Sequence, residues 1–579
     1  MALNEVVLSL HSVHNVKHSP DESYYGMATN HTQEAELAVT SARPAKFKVG
    51  RESIVSLRIF LHLRGKNGKE DRAVGQVSIP IREMLEICGP CIHHTWLLLD
   101  PYAAYGSQPR SQVAGHFRRA FSEVSAKLHS PRICISLMEV TVEPSNWVNS
   151  AQDLQRARCL RLIRSESAGA LGSIGDLFTS LGAPAAELSS EYGELKERIR
   201  PSPDVLRASW ERLQQSVAAE SAELRSLGSD AVPKVDFAEL VDGSFPTSVA
   251  EQIRKRGCVV VRNVVPSEEA ISAKGAAEEY IAANREKLIG FPRDQPMVWE
   301  VYWCKEQMRM REHPNMLATQ TALNRLWHCE NHEVDVDRPL TYCDRLRIRK
   351  AGDSSFTLGP HVDGGSTERW EDAEYRKVYR EIFQGRWENY DAFDATHRAS
   401  ASYDLYGKNL GACSIFRSFQ GWLSLTSAGQ GRGALLLAPI LREATAYLML
   451  RPFMEDVLPS SFCGANPGKV QDLFPEFHQQ LIDCLVPIPD VQPGDTVWWH
   501  CDLIHAVEGV HGGSEDAAVF YIPAVPFCEK NAAYVQAQAQ AFKVHQTPPD
   551  FPANHCEVNC VGQGTEDDLS HEGRRAMAL

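Results

Sequence analysis

Residues 358–363 read L-G-P-H-V-D, and the predicted core of the chain is built around this stretch. His361 and Asp363 are two positions apart, so on an extended strand their side chains point to the same face. An imidazole and a carboxylate held side by side provide two ligands of a facial metal site. A second histidine from farther along the chain would complete the two-histidine, one-carboxylate set that binds Fe(II) with open coordination positions. The stretch therefore predicts a non-haem iron site.

The third ligand is predicted in residues 493–508, which read P-G-D-T-V-W-W-H-C-D-L-I-H-A-V-E. Pro-Gly-Asp indicates a turn, and a strand through Trp499 follows it. A bend then presents either His500 or His505. We select His505 as the ligand, because it opens the strand after the bend. We expect His500 to contact the ligating residues without binding the metal itself. The exchange of these two roles stays open.

Further strand-like segments surround the two motifs. They fall at residues 341–349, 413–425, 433–439, 495–499, 505–508 and 517–524. With the strand of His361 they make seven or eight strands, enough for a double-stranded β-helix, the cupin-like jelly roll, over about residues 341–527. Helical and strand patterns alternate upstream of this core from Val235 onward. The predicted fold class is α+β, mainly β.

A long insertion follows Asp363, at residues 366–409. It is rich in aromatic and charged residues. Because long loops beside metal sites often act as lids, we expect this one to cover the site. Arg369 and Arg386 within it are candidates to hold an anionic substrate.

Residues 1–145 form a separate, strand-rich region. The order V-V-L-S-L, V-G-Q-V-S-I-P-I-R-E-M-L, T-W-L-L-L-D-P and I-C-I-S-L-M-E-V resembles a C2 domain, which implies a β-sandwich that binds a protein or a membrane surface. Asp21, Asp71 and Asp100 are its only aspartates and are far apart, so we expect no dependence on calcium. Residues 146–176 are predicted to be a helical and flexible linker.

The bulk composition limits the class of protein. A chain of 579 residues is long enough for two or three domains, and its net charge of -14 argues against a general nucleic-acid binder. It has neither an apolar run approaching ~18 residues nor a secretory signal pattern. Its 15 cysteines suit reduced thiols, so we expect a cytoplasmic protein.

From about residue 177 to the end, the chain resembles the YbiU-like family, which is assigned to the 2-oxoglutarate/Fe(II) oxygenase superfamily. The resemblance rests on R-K-R-G-C-V-V-V-R-N-V-V (254–265), D-R-L-R-I-R (344–349), L-G-P-H-V-D-G-G-S-T-E-R-W (358–370), F-R-S-F-Q-G-W-L-S-L (416–425) and W-H-C-D-L-I-H-A-V-E (499–508). It implies one oxygenase domain over residues 177–579 with Fe(II), 2-oxoglutarate and O2. The implied reaction hydroxylates a small-molecule substrate, with His361, Asp363 and His505 as metal ligands.

One departure from the superfamily concerns the anchor for the far carboxylate of 2-oxoglutarate. Many relatives place a bidentate arginine about ten residues after the distal histidine, but this chain has Glu515 there and no arginine between His505 and Lys530. Arg417 is the preferred substitute and Arg347 is the second choice. The missing arginine leaves open a cupin-type metalloenzyme that does not use 2-oxoglutarate. A non-catalytic interaction protein is the other alternative.

Overall fold

The computed structural model describes residues 188–406 and 413–579, together with the backbone of the strands between residues 3 and 142. The chain divides into two compact units, Met1–Ala170 and Leu171–Leu579. The predicted linker at residues 146–176 lies outside the described residues. Among the helices that the structure describes, none combines the length and the apolar character needed to cross a membrane.

The described part of the first unit consists of strands. They are β1 (Leu3–His14), β2 (Ser23–Asn30), β3 (Gln33–Ala38), β4 (Ala45–Lys48), β5 (Leu57–Arg64), β6 (Arg72–Ile79), β7 (Ile92–Leu98), β8 (Asp100–Pro101) and β9 (Arg132–Val142). They pair antiparallel in two sheets, β4-β1-β9-β7 and β3-β2-β5-β6-β8. The C2 resemblance depends on loops and side chains outside the described residues, so it stays a prediction.

The second unit carries the predicted metal motif. Its strands are β10 (Lys234–Asp236), β11 (Cys258–Arg262), β12 (Gly290–Phe291), β13 (Val298–Trp299), β14 (Asp335–Leu340), β15 (Leu346–Arg349), β16 (His361–Val362), β17 (Phe419–Ser424), β18 (Leu435–Leu437), β19 (Gln471–Asp472), β20 (Val486–Pro487), β21 (Thr496–His500), β22 (His505–Val507), β23 (Ala517–Tyr521) and β24 (Val525–Phe527). Its helices are α1 (Ser190–Ile199), α2 (Pro203–Leu227), α3 (Thr247–Arg256), α4 (Ser267–Ala283), α5 (Lys305–Glu312), α6 (Pro314–Asn324), α7 (Glu368–Glu371), α8 (Ala373–Val378), α9 (Arg380–Phe383), α10 (Leu441–Leu450), α11 (Pro475–Ile482), α12 (Glu529–Lys543) and α13 (His571–Ala576).

Two sheets of the second unit build its core. The larger has the order β10-β11-β21-β17-β23-β15-β13-β12, and the smaller has the order β19-β16-β22-β18-β20. If β15, β16, β17, β18, β20, β21, β22 and β23 are numbered one to eight along the chain, the sheets contain the orders 1-8-3-6 and 2-7-4-5. This interleaving of distant strands is the pairing of a jelly roll. The unit is therefore α+β, with the double-stranded β-helix core that the strand pattern predicts.

Two of the differences between the structure and the predicted elements concern the core. The strand predicted from Thr341 begins only at Leu346, and the residues just before Thr341, 335–340, form β14 and pair with β24. Helix α10 was not predicted. Nearly all of its side chains are buried and it packs against α2. A helix buried on almost every side lacks the polar face that gives a sequence its helical period.

The turn predicted at Pro493-Gly494-Asp495 leads into β21 and depends on its glycine. Gly494 has a φ of 94°, and a Cβ added there would lie 2.0 Å from the carbonyl oxygen of Val265. We expect Gly494→Ala to lower the free energy of unfolding by about 1–3 kcal/mol, through backbone strain and steric overlap. Urea unfolding measures it. Gly352→Ala is the control, since Gly352 has a φ of 75° but an added Cβ would lie in open space. This variant should lose clearly less unfolding free energy. Equal losses would contradict the overlap with Val265.

Candidate metal centre

The two histidines of the predicted triad meet across neighbouring strands. His361 opens β16 and His505 opens β22, and their Cα atoms are partners in the antiparallel register. Their ring centroids are 4.1 Å apart. Asp363, just after β16, places its Oδ1 3.8 Å from His361 Nε2 and its Oδ2 3.4 Å from His505 Nε2. The structure thus brings together three ligand atoms that lie within 4.8 Å of one another.

Backbone carbonyls orient both imidazole rings. His361 Nδ1 lies 2.7 Å from the carbonyl oxygen of Gly359, and His505 Nδ1 lies 3.0 Å from that of Leu503. A carbonyl oxygen only accepts hydrogen bonds, so each Nδ1 carries the proton and donates it. In the neutral ring, Nε2 then presents a lone pair, which is the arrangement of a metal-binding histidine supported by its outer hydrogen bond.

The charge state of the site fits a cation among these atoms. Burial, together with the neighbouring ring of His505, lowers the pKa of His361 to about 4, so this imidazole is neutral near pH 7. In the neutral tautomer that the two backbone carbonyls favour, the Nε2 lone pairs of both rings converge with the carboxylate of Asp363. Such a group repels itself unless a positive ion lies at its centre. The residues present fit a divalent metal.

His500 lies elsewhere. It is fully buried, its Nε2 is 2.9 Å from the carbonyl oxygen of Ala392, and its Nδ1 accepts the N–H of Asp502 at 3.0 Å. Its ring stacks on Trp327, with centroids 4.8 Å apart. Both ring nitrogens are thus in use. The structure puts His505, and not His500, beside His361 and Asp363.

The burial of His500 predicts a pH dependence of stability. Burial is the main cause that lowers the pKa of His500 to about 3, so the folded chain keeps this ring neutral where the unfolded chain protonates it. Below about pH 6.5 the unfolded state binds the extra proton, and folding loses about 1.4 kcal/mol for each further pH unit. We expect the stability advantage of the wild type over His500→Gln to shrink between pH 7 and pH 4. Chemical denaturation of both proteins across this range measures it, and a constant difference would contradict a neutral buried ring.

A buried ion cluster connects the two segments that carry the triad. Asp502 Oδ2 lies 2.7 Å from Arg398 Nη2, and Asp502 Oδ1 lies 3.3 Å from Arg369 Nη2. The same Arg369 nitrogen donates to the carbonyl oxygen of Asp363 at 2.7 Å. The bend before His505 and the loop of Asp363 are therefore held to one another through Arg369. Residue order alone did not predict this role, although Asp502 and Arg369 both lie within the motifs that carry the family resemblance.

The insertion predicted as a lid is instead a packed layer. Arg369 is buried in the cluster with Asp502, so it is not available to a substrate, and Arg386 pairs with Glu381 at the surface. Six aromatic side chains of the insertion are at least 95% buried: Trp370, Tyr375, Tyr379, Trp387, Tyr390 and Tyr403. The layer positions Asp363 by its backbone contacts and adds to the hydrophobic core.

A cavity of about 100 Å³ lies over the triad. Both arginines predicted as anchors line it, Arg347 on β15 and Arg417 just before β17. Arg347 is 5% exposed, and its Nε has no hydrogen-bond partner in the described part of the chain. Two more buried donors in the lining, Gln420 Nε2 and Trp499 Nε1, also lack one. Buried donors are rarely left unpaired, so these groups fit a bound polar ligand.

Comparison with known proteins places the second unit in a family. The Gig2-like family model matches residues 186–579. The chain is 35% identical over 418 residues to the Uncharacterized protein YbiU of Escherichia coli (strain K12). The alignment covers 69% of this chain and 99% of that protein.

Solved structures agree with this assignment. The Hypothetical Protein JW0805 from Escherichia coli aligns with a TM-score of 0.62 at 34% identity, over 68% of this chain and 98% of its own. GlcNAc Inducible Gene 2 from Candida albicans aligns with a TM-score of 0.62 at 32% identity, over 68% of this chain and 90% of its own. The resemblance predicted from the motifs is confirmed. The chain belongs to the Gig2-like family.

Proposed function

We propose that this chain is an Fe(II)- and 2-oxoglutarate-dependent oxygenase that acts on a small molecule. One observation carries the proposal: the Nε2 atoms of two histidines and a carboxylate converge beneath a cavity lined by the buried Arg347, whose Nε has no hydrogen-bond partner among the described residues. Two histidines and one carboxylate are the donor set of non-haem iron oxygenases. When bound, Fe(II) and 2-oxoglutarate supply the oxidising power that inserts oxygen into a C–H bond of the substrate.

Arg347 is the residue we propose for the far carboxylate of 2-oxoglutarate. The strand after the distal histidine, β23, offers no arginine, but its neighbour β15 pairs with it and sets Arg347 opposite Val519. From this adjacent strand, Arg347 therefore reaches the region in which many relatives place their anchoring arginine. Its burial strengthens a bidentate contact with a carboxylate, because such a contact is poorly screened by water. These observations favour Arg347 over Arg417, the first choice from sequence.

The remaining lining is suited to orienting ligands and excluding water. Gln420 on β17 and Trp499 on β21 are Cα partners, so their two unpaired donors lie side by side. Trp422 and Tyr521, also Cα partners, add aromatic surface to the same cavity. Unpaired donors set among aromatic groups fix the orientation of a polar ligand while the rings keep solvent away.

Succinate release from 2-oxoglutarate tests the proposal. The wild-type chain with Fe(II) and O2 should form succinate, and Arg347→Gln should raise the KM for 2-oxoglutarate by about 10- to 100-fold, since a charge-assisted contact is lost. Arg347→Lys should recover part of the loss, because it keeps the charge without the planar fork. The exposed Arg380→Gln is the control and should match the wild type. Absence of succinate from the wild type would overturn the proposal.

The absence of an arginine between His505 and Lys530 favours a second candidate, a cupin-type metalloenzyme that does not use 2-oxoglutarate. The two candidates differ in one measurable property. If the chain is the cupin-type metalloenzyme, 2-oxoglutarate would not bind to the metal-loaded wild type, and it would not bind to the Arg347→Gln variant either.

A further inference from the structure

The cavity over the triad has a charge opposite to that of the whole chain. The chain carries a net charge of -14. The described lining nevertheless holds more cations than carboxylates: Arg345, Arg347, Arg417 and Lys469 against Asp344 and Asp363. A cavity lined with one sign of charge concentrates ligands of the other sign.

Most of these charges have an assigned counterpart. Arg345 pairs with Asp344, whose Oδ1 is 3.1 Å from Arg345 Nε. If the proposed function holds, Asp363 neutralises one of the two positive charges of Fe(II). The two negative charges of 2-oxoglutarate then balance the remaining charge of Fe(II) and the charge of Arg347. Asp363 attracts Arg417 electrostatically, but no carboxylate of the described residues forms an ion pair with it. Arg417 is therefore the residue from which we infer the substrate class.

Arg417 lies over an aromatic ring, and its hydrogen-bond donors are unused within the described part of the chain. Its guanidinium lies 5.8 Å from the ring centroid of Tyr342, and that ring is fixed by a 2.9 Å hydrogen bond from its hydroxyl to Asp550. Among residues 188–406 and 413–579, nothing accepts a hydrogen bond from the guanidinium or forms an ion pair with it. An arginine that rests on an aromatic ring keeps its planar N–H fork available for a bidentate oxyanion.

The backbone around Arg417 is also fixed. Asn531 bonds both the N–H of Phe416, at 3.1 Å, and its carbonyl oxygen, at 2.8 Å. On the other side, the N–H of Ser418 donates to the carbonyl oxygen of Ala524 at 3.0 Å. Rigid neighbours reduce the entropy that an arginine loses when it binds a ligand.

We propose that the substrate carries an oxyanion, a carboxylate or a phosphate, which Arg417 binds while 2-oxoglutarate occupies Arg347. This inference rests on the proposed function. The oxyanion is the fixed end of the substrate, and the group that reacts is the part that reaches the triad.

A series of small probes that differ mainly in charge tests the inference. The full-length chain is loaded with Mn(II) in place of iron and saturated with 2-oxoglutarate. Benzoate, benzamide and benzamidine, which have nearly the same shape, are then titrated separately, with phenyl phosphate as a fourth probe. Paramagnetic broadening of the probe's proton signals in NMR reports binding close to the metal. Calorimetry measures the 2-oxoglutarate affinity of the same samples.

We expect benzoate or phenyl phosphate to bind, benzamide to bind more weakly, and benzamidine to remain unbroadened. The stronger of the two anions distinguishes a carboxylate from a phosphate substrate. Arg417→Gln should lower the affinity for the preferred anion by about 10-fold or more and leave the affinity for 2-oxoglutarate unchanged. Arg417→Lys should retain part of the preference, and the exposed Arg386→Gln should behave as the wild type.

The outcomes separate the two proposals. Equal binding of benzoate and benzamidine, or loss of 2-oxoglutarate rather than the probe in Arg417→Gln, would overturn the role of Arg417 and leave the oxygenase proposal standing. If 2-oxoglutarate does not bind to the wild type, the oxygenase proposal fails. In that case the same probes still test Arg417. If the Mn(II)-loaded wild type prefers the anionic probes and Arg417→Gln loses that preference, Arg417 is an oxyanion site; if the variant keeps it, Arg417 is not.

Discussion

Replacing His505 with alanine is expected to abolish tight metal binding while the chain stays folded. His505 supplies one of three convergent ligand atoms, and its removal leaves a two-ligand site. Changing only the partners of ligating residues costs about 10- to 100-fold in metal affinity, so loss of a ligand itself should exceed about 100-fold. Metal analysis after dialysis, together with circular dichroism, measures both quantities. Succinate formation should fall to background in the same sample.

His500→Ala is the matched control, since both histidines are buried in the same motif. It should keep its metal but lose stability, because the carbonyl of Ala392 and the N–H of Asp502 are left without their partner. Each buried group left unpaired costs about 1–3 kcal/mol. The opposite pattern, with metal lost in His500→Ala and kept in His505→Ala, would contradict the proposed triad. If the wild type and both variants bind no metal, the non-catalytic alternative is favoured.

Asp502→Ala is expected to cause the largest loss of stability. The carboxylate is 1% exposed and lies between Arg398 and Arg369, both also buried. Its removal leaves two buried guanidinium groups without their counterion, and breaking a buried pair in this way costs about 3–5 kcal/mol. Because Arg369 also holds the carbonyl of Asp363, metal affinity should fall as well. Chemical denaturation and metal titration of the same variant measure the two effects.

The control for Asp502→Ala is an exposed pair. Asp337 accepts a hydrogen bond from Arg325 at 2.6 Å, but its side chain is 64% exposed. Asp337→Ala should change the free energy of unfolding by no more than about 1 kcal/mol, since water screens the pair. Similar losses in the two variants would show that burial does not set the strength of the Asp502 cluster.

Sequence alone identified the family and the residues that meet at the candidate metal centre. Two side chains two apart on a strand share a face whatever the rest of the fold does, so the relation of His361 to Asp363 is a local property. The turn at Gly494 is local too, because it depends on one residue with positive φ. The choice of His505 over His500 also followed from local order, since only one of them opens the strand after the bend.

Only the tertiary structure separated residues that look alike in sequence. Arg347, Arg369 and Arg417 are all arginines near core motifs. Among the described residues, however, Arg347 is buried with an unpaired Nε, Arg369 belongs to an ion cluster and Arg417 lies over a tyrosine ring. The aromatic residues of the insertion read equally well as a lid or as a core. In each case the deciding contact comes from a segment distant in sequence: β23 beside Arg347, Asp502 beside Arg369 and Tyr342 beside Arg417. Periodicity and spacing describe only near neighbours along the chain, whereas burial and charge pairing depend on which distant strands the jelly roll places side by side.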